Sequence, residues 1–233
     1  LLDGLQAALK AKSRPLPHPH SAPLTSSLGE HGLLDSLDMT QALDKDAYSE
    51  QLISEQARLS SLMRDKRMRR HSLIAVFEGN DAAGKGGAIR RVIGALDPRQ
   101  YRIVPVAAPT EEERAQPYLW RFWRHIPARG KFTLFDRSWY GRVLVERVEG
   151  FCEPGDWLRA YGEINDFEEQ LSEAGVVLVK FWLSIDQQTQ LERFKAREQI
   201  PFKRFKITED DWRNREKWPL YRDAVGDMVD RTS

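Results

Sequence analysis

One glycine-rich segment, residues 79–87, restricts the fold of this chain more than any other feature of the sequence. An apolar run at 73–77 precedes it and predicts a buried strand, and the pattern that follows predicts a helix. Gly79 and Gly84 are five residues apart, and Lys85 comes next. This spacing is typical of a phosphate-binding loop (P-loop), in which backbone N–H groups and a helix N-terminus hold phosphate and the lysine reaches the outer phosphates.

The loop departs from the usual pattern at two positions. Gly86 follows the lysine, where a P-loop normally has a Ser or Thr whose hydroxyl binds magnesium. Either another group holds a metal, or the loop binds none. Asp81 lies inside the loop, where its carboxylate would repel phosphate unless a cation lies between them. We therefore predict that Asp81 is the substitute metal ligand or a base near the phosphate acceptor, and a glycine-rich turn without a ligand remains the alternative.

Composition restricts the class of protein. The chain has 233 residues, of which 41% are hydrophobic and 30% charged, which fits a globular protein with one sizeable core and one added module. The net charge is +1, so any basic patch is local. Cys152 is the only cysteine, which excludes a disulfide framework within the chain and suits a reducing cytoplasm. No apolar run approaches the roughly 18 residues of a membrane span, and no signal peptide opens the chain, so we expect a cytoplasmic protein without a membrane partner.

The first part of the chain differs from the rest. Residues 1–43 contain several prolines and predict a linker or an N-terminal strap, while residues 44–233 form the predicted P-loop domain. A helical pattern covers 44–70, with Asp44 or Asp46 at its start. Basic residues crowd its end, where they complement the helix dipole or alternatively face a polyanion.

Strand and helix patterns alternate through the rest of the domain. Apolar runs at 101–108, 132–136 and 176–185 predict three further strands. This alternation predicts an α/β fold, with a parallel sheet and helices on both faces. Ligands of such sheets bind at the carboxyl ends of the strands.

Several polar residues are expected at that edge of the sheet. Asp136 ends a predicted strand, where a second metal-binding carboxylate is expected, and with Asp81 it could hold Mg²⁺. If the site transfers a phosphoryl group, Arg137, which follows directly, is suited to stabilise the negative charge of that group. Arg142 could complete the set of positive charges around it. The segment from Thr110 to Glu113 opens another helix at the same edge.

A basic segment between about 190 and 217 predicts a helical lid. Between residues 193 and 206 only Glu198 opposes six basic residues, and Pro201 interrupts the helix. Such a lid would close over phosphates and exclude water, whereas the alternative is a solvated pair of charged helices. The candidate phosphate-clamping residues are Arg193, Arg197, Lys203, Arg204 and Lys206.

Three motifs in order resemble the polyphosphate kinase 2 family. They are Gly-Asn-Asp-Ala-Ala-Gly-Lys-Gly-Gly (79–87), Phe-Asp-Arg-Ser-Trp-Tyr-Gly-Arg (135–142) and Arg-Glu-Lys-Trp (215–218). The similarity covers roughly 40–230, and glycine after the P-loop lysine is a feature of that family. The resemblance implies a P-loop kinase fold with a lid, dependence on Mg²⁺, transfer between inorganic polyphosphate and a nucleotide, no nucleic-acid partner, and a homo-oligomer.

The resemblance also implies roles for individual residues. The matching catalytic set is Asp81, Lys85, Asp136 and Arg137, of which Asp81 and Asp136 would bind the metal. The expected phosphate- or nucleotide-binding residues are Gly79, Asn80, Ala82, Ala83, Gly84, Gly86, Thr110, Glu113 and Arg142.

The acceptor nucleotide is suggested by the beginning of the chain. The proline-rich opening and the segments 33–40 and 42–48 are similar to the lead-in of the second unit in two-domain family members. Those members favour AMP as acceptor, giving ADP, and a first residue other than Met agrees with a C-terminal half. ADP or GDP as acceptor, or the reverse reaction that makes polyphosphate, is the alternative within the family.

Two readings outside the family remain. An ATP-dependent nucleoside monophosphate kinase would share the loop, although such enzymes normally keep Ser or Thr at the position of Gly86. A non-catalytic polyanion-binding module would explain the basic segments. It would not explain two carboxylates among phosphates, which weaken anion binding unless a metal is recruited.

Overall fold

The computed structural model describes residues 37–201, 205 and 207–233. Its centre is a sheet of four parallel strands in the order β2-β3-β1-β4. The strands are β1 Ser72–Gly79, β2 Tyr101–Pro105, β3 Phe132–Asp136 and β4 Val176–Leu183. The predicted parallel α/β sheet is therefore confirmed.

Strand β1 is buried on both faces, which accounts for its continuous apolar run. Ile74 and Val76 pack into one core, and Ala75 and Phe77 pack into a second core on the opposite face. All four are at most 3% exposed. The register aligns Ala75 with Leu134 of β3 and with Val179 of β4, so β1 lies inside the sheet.

Nine helices accompany the sheet in the described part of the chain. They are α1 Lys45–Arg64, α2 Lys85–Ile93, α3 Glu111–Arg114, α4 Trp120–Trp123, α5 Val145–Glu149, α6 Pro154–Glu173, α7 Gln187–Glu198, α8 Glu209–Glu216 and α9 Trp218–Thr232. Residues of α1 and α2 contribute to one core, and residues of α6 and α9 to the other. Helices thus cover both faces of the sheet, as predicted.

Three predicted boundaries are wrong, the smallest difference being that β4 ends at Leu183 and not at 185. The helix predicted over 44–70 ends at Arg64, because Asp65 is extended and caps a separate 3₁₀ turn, Lys66–Arg70. Asp44, rather than Asp46, is the N-cap of α1. Strand β2 stops at Pro105 instead of reaching 108, since its partner β3 ends at Asp136 in the same register.

Two helices, α7 and α8, occupy the segment predicted as a lid and lie on either side of a gap in the described residues. Asp186 caps α7, and Thr208 caps α8 in a reciprocal capping box with Asp211. Most of the predicted strap, residues 1–36, lies outside the described residues, and residues 37–43 are exposed. None of the described helices combines the length and the apolarity needed to cross a lipid bilayer.

Candidate active site

The P-loop joins β1 to α2 in a conformation that depends on its glycines. Gly79 has φ +146°, and a Cβ atom there would lie 2.3 Å from the carbonyl oxygen of Leu183 on β4. Gly84, at φ +111°, is the N-cap residue of α2. Between them Ala82 has φ +63°, a left-handed conformation that costs a non-glycine residue about 1–2 kcal/mol. The first residue of the loop therefore has no room for a side chain, because Gly79 pairs with Leu183 of the neighbouring strand β4.

Lys85 begins α2 and turns back over the loop. Its Nζ atom donates to the carbonyl oxygens of Gly79 at 2.6 Å and Asn80 at 3.2 Å. Burial lowers the pKa of Lys85, and the carboxylate of Asp81 opposes that shift. An incoming phosphate would supply the negative charge that this buried ammonium group lacks.

Asp81 has partners on both of its carboxylate oxygens. Oδ1 accepts from Arg137 Nη2 at 3.2 Å, and Oδ2 accepts from Asn214 Nδ2 at 2.9 Å. Its backbone carbonyl accepts from Gln190 Nε2 at 3.1 Å. Gln190 lies on α7 and Asn214 on α8, so both lid helices contact the P-loop through Asp81.

The end of β3 delivers the second acidic residue and the arginine. Asp136 is in register with Phe77 of β1, so both strands end beside the P-loop. Arg137 comes next, has φ +65°, and donates its backbone N–H to the carbonyl of Phe77 at 3.0 Å. Its side chain is half exposed and reaches Asp81.

Two cavities meet at Asp81 and Arg137. The larger, of about 400 Å³, is lined by the P-loop, Asp136 and the end of β2. Its basic lining residues are Lys85, Arg90, Arg137 and Arg197. The smaller, of about 80 Å³, has a largely apolar wall. That wall is formed by Leu144, Val145, Trp182, Trp218 and Tyr221. We call them the phosphate cavity and the aromatic cavity.

The family model for polyphosphate kinase 2 matches residues 42–233, which is most of the chain and includes all the residues that line these cavities. The chain belongs to the polyphosphate kinase 2 family.

Relatives in this family match the chain over its whole length. The polyphosphate:AMP phosphotransferase of Pseudomonas aeruginosa is 78% identical over all 233 residues, which cover 47% of that protein. The enzyme of the same name from Acinetobacter johnsonii is 48% identical over 97% of this chain and 44% of its own length. The chain thus spans about half the length of these curated relatives.

Solved structures agree with the fold. A crystal structure described as a polyphosphate kinase 2 from P. aeruginosa superposes with a TM-score of 0.85 and 80% identity, covering 86% of this chain and 43% of that one. Polyphosphate kinase 2 from Arthrobacter aurescens gives a TM-score of 0.81 at 33% identity, covering 89% of this chain and 76% of that one. The P-loop kinase fold is shared by these structures.

Most of the candidate residues of this polyphosphate kinase 2 chain come together. Asp81, Lys85, Asp136 and Arg137 all line the phosphate cavity. The P-loop residues Ala82, Ala83, Gly84 and Gly86 line it as well, while Gly79 and Asn80 line the aromatic cavity. Asn80 also ties the loop to the chain after β4, because its Oδ1 accepts from the N–H of Ile185 at 3.4 Å.

The lid residues divide into two groups. Arg197 lines the phosphate cavity. Arg193 instead braces the loop, because its Nη1 donates to the carbonyls of Ala82 at 2.9 Å and Ala83 at 3.0 Å. Lys203, Arg204 and Lys206 lie outside the described residues.

Three candidate nucleotide-binding residues line neither of the two cavities described here. Thr110 and Glu113 bond to each other in the capping box that begins α3. Arg142 lies with its Nε 2.7 Å from a carboxylate oxygen of Glu146 and its guanidinium over the Tyr118 ring. In this structure, each of the three makes contacts that stabilise its own segment.

Sequence reasoning missed two groups of polar residues. One group contacts Asp81 from α7 and α8, and the other is buried next to the P-loop and Arg137. Asn214 and Gln190 had no motif of their own, although Asn214 directly precedes the motif at 215–218. Glu78 and Ser138 stand beside the P-loop and beside Arg137, and both are buried. The available signal was a polar residue in an apolar setting, since Glu78 directly follows the apolar run at 73–77 and Ser138 precedes two aromatic residues in the motif at 135–142.

The carboxylates of Asp81 and Asp136 suit a divalent cation that also binds phosphate. Asp81 and Asp136 face the same cavity, and carboxylate oxygens are the protein ligands that Mg²⁺ prefers, usually one or two of them together with substrate phosphates. No cluster of three or more His, Cys, Asp or Glu side chains suited to a metal occurs among the described residues. The arrangement therefore fits a metal completed by substrate better than a closed protein site.

Proposed function

We propose that this chain transfers a phosphoryl group from inorganic polyphosphate to AMP, giving ADP, with Mg²⁺ as the metal. The observation that carries the proposal is the meeting of two unlike cavities at Asp81 and Arg137. Transfer between two substrates requires the donor and the acceptor to approach one reacting centre from different sides.

The phosphate cavity suits the polyphosphate donor. P-loop amides, the α2 N-terminus and four basic side chains surround it, and it contains no aromatic wall among the described residues. Arg137 lies where it can stabilise the charge of the phosphoryl group in transit. Arg197 of α7 also lines this cavity and would offer a further positive charge to a polyanion.

The aromatic cavity suits the acceptor. Trp182, Trp218 and Tyr221 offer ring faces, and the Nε1 of Trp182 is a buried donor without a hydrogen-bond partner among the described residues. At about 80 Å³ the cavity is too small for a nucleotide, so Gln190 and Asn214 of the lid have to move outward to admit one. Closure would then exclude water from the reacting phosphate.

Asp81 and Asp136 would hold the metal, which would neutralise the negative charge of the phosphate groups. Asp81 would exchange its contacts with Arg137 and Asn214 for that role. This frees Arg137 for the transferred group.

The choice of AMP is supported by the relatives. Proteins named polyphosphate:AMP phosphotransferase match 97–100% of this chain at 48–78% identity. Those named for GDP or ADP match 70–82% of it at 38–43% identity.

A coupled turnover assay tests the proposal, with Mg²⁺ and polyphosphate fixed and AMP or ADP offered, and ATP plus AMP as the control donor. We expect rapid ADP formation from AMP and polyphosphate. Formation of ATP from ADP and polyphosphate, with no product from AMP, would show that the acceptor is a nucleoside diphosphate. Turnover only with ATP as donor would refute the polyphosphate proposal.

The same assay tests the site with Asp136→Asn. Losing this carboxylate should abolish turnover while the melting temperature is retained, because Asp136 faces the cavity and not the core. Asp166→Asn, at an exposed position on α6, is the matched control and should keep full activity. Near-normal turnover of Asp136→Asn would refute the metal role.

A further inference from the structure

Two buried polar residues outside the proposed catalytic set, Glu78 and Ser138, form a hydrogen bond with each other. Glu78 directly precedes the P-loop, and Ser138 directly follows Arg137. Ser138 and Glu78 are 2% and 7% exposed, and Ser138 Oγ donates to Glu78 Oε1 at 2.8 Å. The same Oγ accepts the backbone N–H of Tyr140 at 3.2 Å, which commits its single proton to Glu78. The hydroxyl therefore has one defined orientation.

This pair is adjacent to a strained position in the backbone. Arg137 immediately precedes Ser138 and adopts φ +65°, although it has a full side chain. Such a conformation persists only where the surrounding structure holds it. On the N-terminal side, the hydrogen bond from Arg137 N–H to the carbonyl of Phe77 holds the residue, and Phe77 precedes Glu78. On the C-terminal side, the Ser138 side chain holds it through Glu78.

We propose that Glu78 and Ser138 are positioning residues that fix the backbone of Arg137, so that its guanidinium lies over the P-loop beside Asp81. Both anchors belong to the end of β1, since Phe77 and Glu78 are consecutive residues of that strand. The P-loop begins at the next residue, so one strand end fixes both the phosphate-binding loop and the arginine opposite it.

Glu78 fixes the Arg137 backbone by accepting the hydrogen bond from Ser138 and does not need a negative charge to do so. Burial raises the pKa of Glu78, and the bond from Ser138 is the largest influence opposing that shift, ahead of the charges of Lys85 and Arg137. A neutral side chain with an oxygen in the same place would keep the bond to Ser138. Glutamine is such a side chain and differs from glutamate by one atom.

This inference rests on the proposed function only because its test needs measurable turnover. Any donor and acceptor that support turnover can be used. Ser138→Ala should lower kcat about 10- to 100-fold, the loss typical of a misplaced catalytic group, with a much smaller change in KM. Glu78→Gln should stay within about threefold of the wild-type kcat, while Glu78→Val should lose as much as Ser138→Ala.

A double-mutant cycle separates positioning from a general structural effect. If Ser138 acts through the arginine, adding Ser138→Ala to Arg137→Ala should cost no further turnover, measured at raised enzyme concentration. An equal loss in both backgrounds would overturn the proposal, as would a Glu78→Gln variant as inactive as Glu78→Val. Absence of polyphosphate turnover in the wild type would instead refute the proposed function and leave this comparison to be made with ATP.

Discussion

At the scale of single residues, Gly79 and Gly86 show that two glycines of one loop have different physical requirements. Gly79 has φ +146°, and a Cβ atom there would lie 2.3 Å from the Leu183 carbonyl oxygen. Gly86 lies within α2, and a Cβ atom there would have no neighbour within 4 Å. The motif requires the first glycine for backbone geometry. The second replaces the usual hydroxyl residue without any steric need.

We therefore predict opposite effects of two alanine substitutions on stability. Gly79→Ala should lower the free energy of unfolding by about 3 kcal/mol or more, because both the φ angle and the contact with β4 are incompatible with a side chain. Gly86→Ala should raise it by about 0.5–1 kcal/mol, since alanine loses less backbone entropy in a helix. Urea denaturation of both variants measures this, and a similar change in both would contradict the assignment.

At the scale of elements, one buried carboxylate at the end of α5 holds α8 in place. Glu149 is 3% exposed at its side chain and accepts from Arg213 at 2.9 Å and Lys217 at 2.8 Å. Tyr221 Oη donates to it at 3.4 Å, and burial raises the pKa of that phenol, so it remains a donor. These contacts hold α8 where Asn214 reaches Asp81.

Glu149→Ala should loosen α8 without unfolding the domain. We expect a loss of about 1–2 kcal/mol in unfolding free energy, because Arg213 and Lys217 are partly exposed and can be hydrated once the carboxylate is gone. Hydrogen exchange should show faster exchange of amides in α8 and unchanged exchange in α6. The KM of the acceptor should rise.

Asp210→Ala is the matched control, since Asp210 pairs with the same Arg213 at 2.9 Å but is 70% exposed. It should cost less than about 1 kcal/mol. Equal effects of the two variants would mean that Glu149 does not hold the lid.

At the scale of the whole molecule, one buried carboxylate links stability to pH. Burial raises the pKa of Glu78 above its usual value, so the folded state binds a proton at pH values where the unfolded chain has lost it. The contribution of Glu78 to stability is therefore present below the unfolded pKa and decreases as pH rises through the folded one.

Glu78→Gln should accordingly have a higher free energy of unfolding than the wild type at neutral pH. The difference should vanish in acid, where Glu78 is protonated in both the folded and the unfolded wild-type protein. Chemical denaturation across a pH series measures this difference. Glu169→Gln, exposed on α6, should show no such trend. A stability difference that is independent of pH would show that Glu78 does not titrate as its burial requires.

The homo-oligomer implied by the resemblance and the division into strap and kinase domain stay predictions. Light scattering of the purified chain measures the oligomeric state.

Local sequence patterns determined the elements of this protein and the position of its P-loop. The apolar run before Gly79 predicted a buried strand. Thr110, and the choice between Asp44 and Asp46, marked helix starts, because these signals depend on neighbours within a few residues. The spacing of Gly79, Gly84 and Lys85 sufficed to locate the P-loop, and its binding of phosphate stays a prediction.

Only the tertiary structure decided which side chains act together. Asn214 bonds to Asp81 across 133 residues of sequence, and Ser138 bonds to Glu78 across 60. Arg142, by contrast, lies in a matching motif and yet pairs with Glu146 away from both cavities. Such partnerships arise where the lid docks and where strand ends meet, and local periodicity carries no information about which distant polar groups share that space.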